Sequence, residues 1–539
     1  MRELDRVTTE RYGIPSLVLM ENAAAATARV IASASSEIAN RSVLVLCGRG
    51  NNGGDGAAAA RLLAHAGANV TTILFGSIAD TKGDARTNFE ALASLAQDSS
   101  PAKGVVRLIE CANDDDCGSA VKEKLSESPD VIVDALFGTG LTRPLQGVHA
   151  EAVRRVNALR GLANANTLVV SIDVPSGLNS DLPDPIGEAV HADITVTMTA
   201  PKIANVLPPA SNYNGRLIVA DIGSPAELIS KVPTDLFLSE EADARRWLVE
   251  TRYTPNSYKN THGHALIVAG ARGFTGAAAL CANAAMRSGA GLVTVATPAS
   301  AQAVVATQVM PEVMTAALAE TDRGAVSDEA FDFFSKFSEK ADVIAIGPGL
   351  SSEDERTRKF VRRVVENRRT PVVVDADGLN CLSPWPDDLR GSPELPIVLT
   401  PHPGEMLRLM GTSDKSALQD RIAAARKFAS QHEVILLLKG GRSFVAAPDG
   451  RVFVNSTGNA GLGTAGAGDI LTGVIAGFLA QAKSERVSGL DTVIAALYVS
   501  GLAGDLAARE LGMRCMVASD IREHLSAAIC SIDPRGEQP

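Results

Sequence analysis

The sequence predicts an α/β protein built from two doubly wound, three-layer domains in tandem, and three observations carry that prediction. Short apolar runs recur along the chain as continuous stretches rather than alternating ones, which is how strands buried on both faces of a parallel sheet read. Ala- and Leu-rich helical stretches lie between them, giving strand–helix alternation with right-handed crossovers. The pattern fades past Pro233 and then restarts within 539 residues. At roughly 100–200 residues per domain, that length is too great for one core.

In the first half the expected strands are Ser42–Cys47, Asn69–Phe75, Val131–Asp134, Leu168–Asp173, Asp193–Met198 and Arg216–Ala220. Helices are expected over Asp55–His65, stopped by Gly67, and over His149–Leu159. Regularity is lost from Pro233 to about Arg246, so residues 1–230 and 240–535 are assigned to the two domains. In the second half Ala265–Ala269, Leu292–Ala296, Val343–Ile346, Val372–Asp375, Ile397–Leu399 and Val434–Leu438 are the expected strands. Helices are expected over Ala277–Ser288, Lys415–Ser430, Ile470–Ala480 and Thr492–Glu510. Ser383–Pro396, rich in Pro, Asp and Gly, reads as a surface loop. Asp114-Asp115-Asp116 reads as a solvated loop rather than a cation site.

A net charge of −11 disfavours nucleic acid and anionic membranes as partners. It does not oppose a small anionic ligand held by helix N-termini and a few local cations. The seven cysteines form no Cys-x-x-Cys pair, and the eight histidines supply no zinc-like spacing, so free thiols in a reducing compartment are expected. Met1–Ala26 is interrupted by acidic and basic residues, unlike a signal peptide, and no stretch of about 18 uncharged apolar residues occurs elsewhere. A cytoplasmic protein is the expectation.

Two glycine-rich segments carry the chemistry. The first, Gly48-Arg49-Gly50-Asn51-Asn52-Gly53-Gly54-Asp55-Gly56, follows a strand and opens a helix, so that backbone N–H groups face an anion. It formally matches the dinucleotide fingerprint. The next strand, however, ends in Gly76 and Ser77, without the acid that holds a ribose, which disfavours a hydride-transferring dehydrogenase. Asp134, Gly138–Arg143 and Ser171–Gly177 also sit just past strand ends. Asn52, Asp134 and Ser176 offer oxygens to a hard cation, Gly138–Arg143 offers N–H groups and a guanidinium to phosphate, and Asp173 remains for acid–base work.

The second segment, Gly461-Leu462-Gly463-Thr464-Ala465-Gly466-Ala467-Gly468-Asp469, opens the helix at Ile470. A helix N-terminus stabilises phosphate and, by the same field, an ionised Asp469, which can accept the proton of a hydroxyl attacking a phosphoryl group. Gly347-Pro348-Gly349, Pro401-His402-Pro403 and Lys439-Gly440-Gly441-Arg442-Ser443 follow other strands. His402, between two prolines at a strand end, is assigned as a ligand contact.

With Met20-Glu21-Asn22-Ala23 and Ala220-Asp221-Ile222-Gly223, the first set resembles the NAD(P)H-hydrate epimerase family over about residues 1–230. That resemblance implies a Rossmann-like fold and a potassium ion held by Asn52, Asp134 and Ser176. It implies hydrate contacts at Asn51, Asn52, Gly53, Gly54, Asp55, Gly138, Thr139, Gly140, Leu141, Thr142, Arg143 and Asp173, with Asp173 as the catalytic group. The second set, with His262-Gly263-His264 and Arg287–Val293, resembles the ribokinase-like NAD(P)H-hydrate dehydratase family over about residues 245–530. It implies hydrate contacts at Ala277, Gly349, His402 and Asp469, with Asp469 catalytic. It also implies nucleotide contacts at Lys439, Gly440, Gly441, Arg442, Ser443 and Gly468. Asp375 and Asp377 are candidates for organising magnesium, with buried loop caps as the equal alternative. Together the two resemblances imply repair of hydrated NADH and NADPH by epimerisation and by dehydration driven by ADP or ATP, in a homo-oligomer acting on small molecules. The alternative is a ribokinase-like vitamin-precursor kinase fused to a non-catalytic nucleotide-binding module.

Overall fold

The computed structural model describes residues 2–35, 37–97, 104–160, 167–482 and 487–533. It divides into two compact units, Met1–Pro233 and Thr234–Pro539.

Among the described residues the first unit holds seven strands: β1 Ser42–Cys47, β2 Asn69–Leu74, β3 Val106–Glu110, β4 Val131–Ala135, β5 Leu168–Ile172, β6 Ile194–Met198 and β7 Arg216–Ala220. Every pairing is parallel, in the order β3-β2-β1-β4-β5-β6-β7. Successive residues of β1 serve opposite faces. Val43, Val45 and Cys47 enter one apolar cluster and Leu44 and Leu46 the other, so helices cover both sides. The expected strands are present to within a residue or two. β3 was missed because it is an edge strand with a mixed, half-exposed pattern rather than a continuous apolar run.

Asp114-Asp115-Asp116 is not a loop. Asn113 caps a helix, Asp114–Ser126, by accepting the Asp116 N–H at 2.9 Å, and the three carboxylates form its first turn. Acidic residues are stabilised there by the helix dipole.

The second unit adds β8 Leu236–Leu238, β9 His264–Val268, β10 Leu292–Pro298, β11 Met314–Leu318, β12 Val343–Ile346, β13 Val372–Val374, β14 Ile397–Leu399, β15 Ile435–Leu438, β16 Phe444–Ala446 and β17 Val452–Val454. The order is β11-β10-β9-β12-β13-β14-β15-β16-β17-β8, parallel except where β16 pairs with β15 and β17. β8 pairs with β17, so the second domain begins at Thr234 rather than 240. A three-residue strand is too short to show a period. The expected end at 535 lies outside the described residues.

Ser383–Pro396 also departs from expectation. Trp385 is only 5% exposed and donates its indole N–H to the Leu389 carbonyl at 3.0 Å, so one buried aromatic pins a segment whose composition reads as surface.

The core of this unit rests on small residues. Helices Thr275–Arg287 and Ala467–Gln481 cross so closely that a methyl on Gly473 would lie 2.1 Å from the Cys281 carbonyl oxygen, and one on Gly477 2.0 Å from Ser288 Oγ. This is where the abundant glycine and the 4% aromatic content find their use. Trp247 stacks on Phe478 with ring centroids 3.8 Å apart. Helices Ser16–Ala34 and Gly489–Leu511 are long and apolar enough to cross a membrane. The first packs on the helix Asn51–His65 and the second on Ala467–Gln481.

Gly473→Ala is expected to lower the thermal midpoint of the second unit, at a cost of ~1–3 kcal/mol or more from overpacking against backbone. Gly276→Ala, which meets nothing within 4 Å, should leave it unchanged or raise stability by about 0.4–1 kcal/mol. Fluorescence of Trp247 and Trp385 reports this unit, since the chain's two tryptophans both lie in it.

Candidate functional sites

In the first unit β1 and β4 are neighbours while their following strands run to opposite sides, so a crevice opens beyond their carboxyl ends. The loop after β1 leads into the helix Asn51–His65, capped at Gly50. A methyl on Gly53 would sit 1.7 Å from the Gly48 carbonyl oxygen, and one on Gly54 2.7 Å from Ala85 Cα. Gly53 and Gly54 therefore seat the helix against its neighbours, whereas nothing lies within 4 Å of such a methyl on Gly50. Gly138, after β4, joins the crevice: a methyl there would lie 3.0 Å from Asn52 Oδ1 and 3.2 Å from Asp173 Oδ2. Thr139, Gly140, Leu141, Thr142 and Arg143 continue as a partly exposed loop, in which Arg143 carries no ion pair among the described residues.

Asp134 is buried at the end of β4. It accepts hydrogen bonds from the Ser171 hydroxyl and the Ser176 N–H, both at 2.8 Å, and burial raises its carboxyl above the usual range against those bonds. Ser176 Oγ accepts the Phe137 N–H at 2.9 Å and donates to the Phe137 carbonyl at 3.1 Å. The described donors to Asp134 are all neutral, so a monovalent cation beside it would offset the buried carboxylate.

Asp173 occupies a left-handed backbone position at φ +68°, strained for a residue with a side chain. It is ion-paired with Lys202, which also donates to Thr197 Oγ1 at 2.8 Å and to the Met198 carbonyl at 3.0 Å. The Thr197 hydroxyl donates to Asp173 Oδ1 at 3.2 Å. Burial, then the charges of Asp173 and Asp5, push the Asp55 carboxyl well above its usual range, with Lys202 opposing. Asp5, on the helix Arg2–Tyr12, is raised by burial too. Three carboxylates thus surround one lysine, an arrangement suited to holding and moving a proton.

In the second unit Gly466, at φ +84°, caps the helix Ala467–Gln481 and delivers Gly468 and Asp469 to the sheet edge. A methyl on Gly468 would lie 3.3 Å from Lys439 Nζ. Lys439 pairs with buried Asp375 at 2.8 Å, and the Thr472 hydroxyl donates to the other Asp375 oxygen at 2.7 Å. Although burial alone would lower it, Lys439 is held above its usual range by Asp375 and then Glu405. Asp469 differs from the ionised group expected at a helix start. Burial, then the Asp375 charge, raises its carboxyl to about 7, Lys439 opposing. Desolvation outweighs the helix field here.

Of the two roles left open for Asp375 and Asp377, their hydrogen bonds match that of loop caps. Asp375 is committed to Lys439 and Thr472, and Asp377 accepts from the Ser351 N–H at 2.9 Å and the Asn380 amide at 3.3 Å. Both hold the frame. Gly349, at φ +58°, packs with Ala277: a methyl on Gly349 would meet the Ala277 side chain at 3.0 Å and the Phe274 carbonyl at 2.8 Å. The Phe274 ring is exposed beside them. His402 caps the helix Pro403–Leu409, its Nδ1 accepting from the Gly404 N–H at 3.0 Å, with the ring half exposed and Nε2 3.5 Å from Glu405. It is a structural cap as well as an available ring. Gly440 lies under Arg421, which donates to the Lys439 carbonyl at 3.2 Å. Arg442 is turned to the Ser456 carbonyl at 2.9 Å, and the Ser443 hydroxyl receives the Gly440 N–H at 3.3 Å.

His262-Gly263-His264 and Arg287–Val293 lie at the amino ends of β9 and β10, away from the carboxyl edge, where methyls on Gly263 and Gly291 would meet the Ala480 and Lys259 carbonyl oxygens. They are close-packing positions. Sequence reasoning missed Lys202, Asp5, Thr472 and Arg421. A lysine between the apolar stretches Thr195–Met198 and Ile203–Val206 was the readable sign of the first, and Thr472, one turn after Asp469, of the third. Asp5 and Arg421 reach their sites only through tertiary packing.

Residues 16–204 match the family described as YjeF-related protein N-terminus, and residues 265–527 match the NAD(P)H-hydrate dehydratase family. The bifunctional NAD(P)H-hydrate repair enzyme of Moorella thermoacetica is 39% identical over 100% of this chain and 97% of its own length. That of Thermofilum pendens is 36% identical over 98% of this chain and 94% of its own. Among solved structures, an ADP/ATP-dependent NAD(P)H-hydrate dehydratase from Bacillus subtilis, co-crystallised with ATP and magnesium, covers 56% of this chain and 100% of its own at 29% identity, with a TM-score of 0.47. Full-length identity at this level, falling on two units with the two sites described, shows that the chain belongs to the bifunctional NAD(P)H-hydrate repair enzyme family.

Proposed function

We propose that the protein restores hydrated NADH and NADPH, the first unit interconverting the R and S hydrates and the second dehydrating the S form at the expense of ADP or ATP. The observation that carries this reading is Asp469, raised to about 7 and set beside Gly468, Lys439 and Asp375. A base poised near neutral pH can take the ring hydroxyl's proton and still hold it. The hydroxyl oxygen attacks the terminal phosphoryl group, forming an O–P bond as the bond to AMP or ADP breaks. Lys439 and the Gly468 N–H face the charge that develops on the phosphoryl oxygens. The ring nitrogen's lone pair then expels phosphate, a better leaving group than hydroxide, and loss of the neighbouring proton restores the double bond. Gly349, Ala277 and His402 border the hydrate, and Lys439–Ser443 the nucleotide, which brings magnesium on its own phosphates.

In the first unit the Asp173–Lys202 pair passes an ammonium proton to the departing ring oxygen, which leaves as water, and takes a proton back when water adds to the other face. Asn51–Asp55 and Gly138–Arg143 border the hydrate. A potassium ion at Asn52, Asp134 and Ser176 would supply a fixed positive charge that orients the reacting oxygen.

The test mixes the protein with R and S NADH hydrates, potassium, magnesium and ADP or ATP, and follows absorbance of the reduced ring. Complete recovery is expected with at least one nucleotide, and none with either would sink the dehydratase reading. Asp469→Ala should reduce recovery by ~10²–10⁴-fold, whereas Asp173→Asn and Lys202→Met should leave the S fraction recoverable and stall the R fraction. Because Asp469 must be ionised to act as base, kcat/KM for dehydration should fall as pH drops through about 7. Asp375→Asn, removing a charge that raises Asp469, should move that fall to lower pH; an unmoved profile would count against Asp469 as the base.

A further inference from the structure

Beyond the carboxyl ends of β1, β2 and β3 lies a cavity of about 390 Å³ that none of the assigned contacts occupies. Its walls include Arg49, Phe75, Ser77, Cys111, Asn113 and His149. We propose that this cavity is the subsite for the adenosine half of the dinucleotide hydrate, with Arg49 as the residue that receives the 2′-phosphate of the NADPH form. The inference rests on the epimerase reading of the first unit.

Three observations carry it. The cavity has the size and mixed aromatic–polar lining of a ligand pocket. It also adjoins the reaction centre through a line of rings. Phe137 directly precedes Gly138, its ring lies 5.1 Å from His149, and His149 lies 5.0 Å from Phe75 in the cavity wall. Burial holds His149 below its usual range, which keeps a neutral, stackable ring there at neutral pH.

Gly76, at φ +142°, lets Arg49 lie across the end of β2: a methyl there would come 2.6 Å from Arg49 Cδ. Among the described residues the Arg49 guanidinium makes no hydrogen bond or ion pair, though its charge acts on Asp80 and His149. The turn Ile78–Asp80 folds Asp80 back so that its Oδ2 accepts the Ser77 N–H at 3.0 Å and the Ser77 hydroxyl at 2.9 Å. The acid absent from the strand end is therefore present three residues on. In doubly wound sheets this edge takes the adenosine ribose, an acid meeting its 2′-hydroxyl and an arginine its 2′-phosphate.

Hydrogen-exchange mass spectrometry of the full chain tests the subsite, because its readout is local and separate from nucleotide binding in the second unit. Adenosine 2′,5′-bisphosphate should slow exchange in peptides covering 75–80 and 111–117, and nicotinamide mononucleotide should not. Arg49→Ala should weaken that protection about tenfold in ligand concentration while changing the response to adenosine 5′-monophosphate about twofold at most, and Arg49→Lys should recover part of it. In epimerisation Arg49→Ala should raise KM about tenfold for NADPH hydrate and hardly for NADH hydrate, with kcat kept. No protection at millimolar ligand, or equal losses for both adenosine ligands, would overturn the proposal. Protection without any epimerisation would overturn the reaction assigned to the first unit and leave the subsite standing.

Discussion

Both sites depend on helices brought closer to their neighbours than any side chain allows. In the first unit a methyl on Gly53 would fall 1.7 Å from the Gly48 carbonyl oxygen, so the helix starts almost in contact with the strand end that feeds it. In the second, Gly473 and Gly477 let Ala467–Gln481 press against Thr275–Arg287, which places Gly468 and Asp469 beside Lys439. Interiors are close-packed and yield little, so this spacing fixes where the helix N-termini deliver their N–H groups. Much of the glycine that reads as phosphate cradle is spacing of this kind. The cradle proper is the small remainder, such as Gly50 and Gly468.

On that scaffold each site gathers more carboxylate than cation. Asp5, Asp55 and Asp173 gather around Lys202, and Asp375, Glu405 and Asp469 act on Lys439. Each lysine is tied to one carboxylate, and the neighbouring carboxylates Asp5, Asp55 and Asp469 are pushed upward, by burial first and then by like charge. In the second site the ion pair fixes geometry and Asp469, raised to about 7, supplies acid–base capacity near neutral pH. The overall negative charge of the chain is thus no obstacle to anionic substrates, because the local field at each helix start is set by backbone and lysine.

Buried central strands were legible in the sequence because burial on both faces leaves a continuous apolar run, as at β1 and β12. Edge and hairpin strands were not: β3, β8 and β11 are partly exposed at the sheet edges, and β16 and β17 form a short hairpin. Site residues inside motifs, such as Asn52, Gly138, Gly468 and Asp469, were readable because their backbone requirements leave a local mark. Asp5 and Arg421 carry no such mark, since only tertiary packing brings them to their sites. Asp375 was readable only as one of two things, since a carboxylate at a strand end reads alike whether it holds a metal or a lysine.

The central claim is that the second site moves a phosphoryl group onto the hydrate's own oxygen before that oxygen leaves. Hydrate carrying ¹⁸O in the ring hydroxyl, turned over with unlabelled nucleotide, distinguishes this directly by mass spectrometry of the released phosphate. The account predicts one ¹⁸O in each phosphate formed. Label found in water, with unlabelled phosphate, would contradict it.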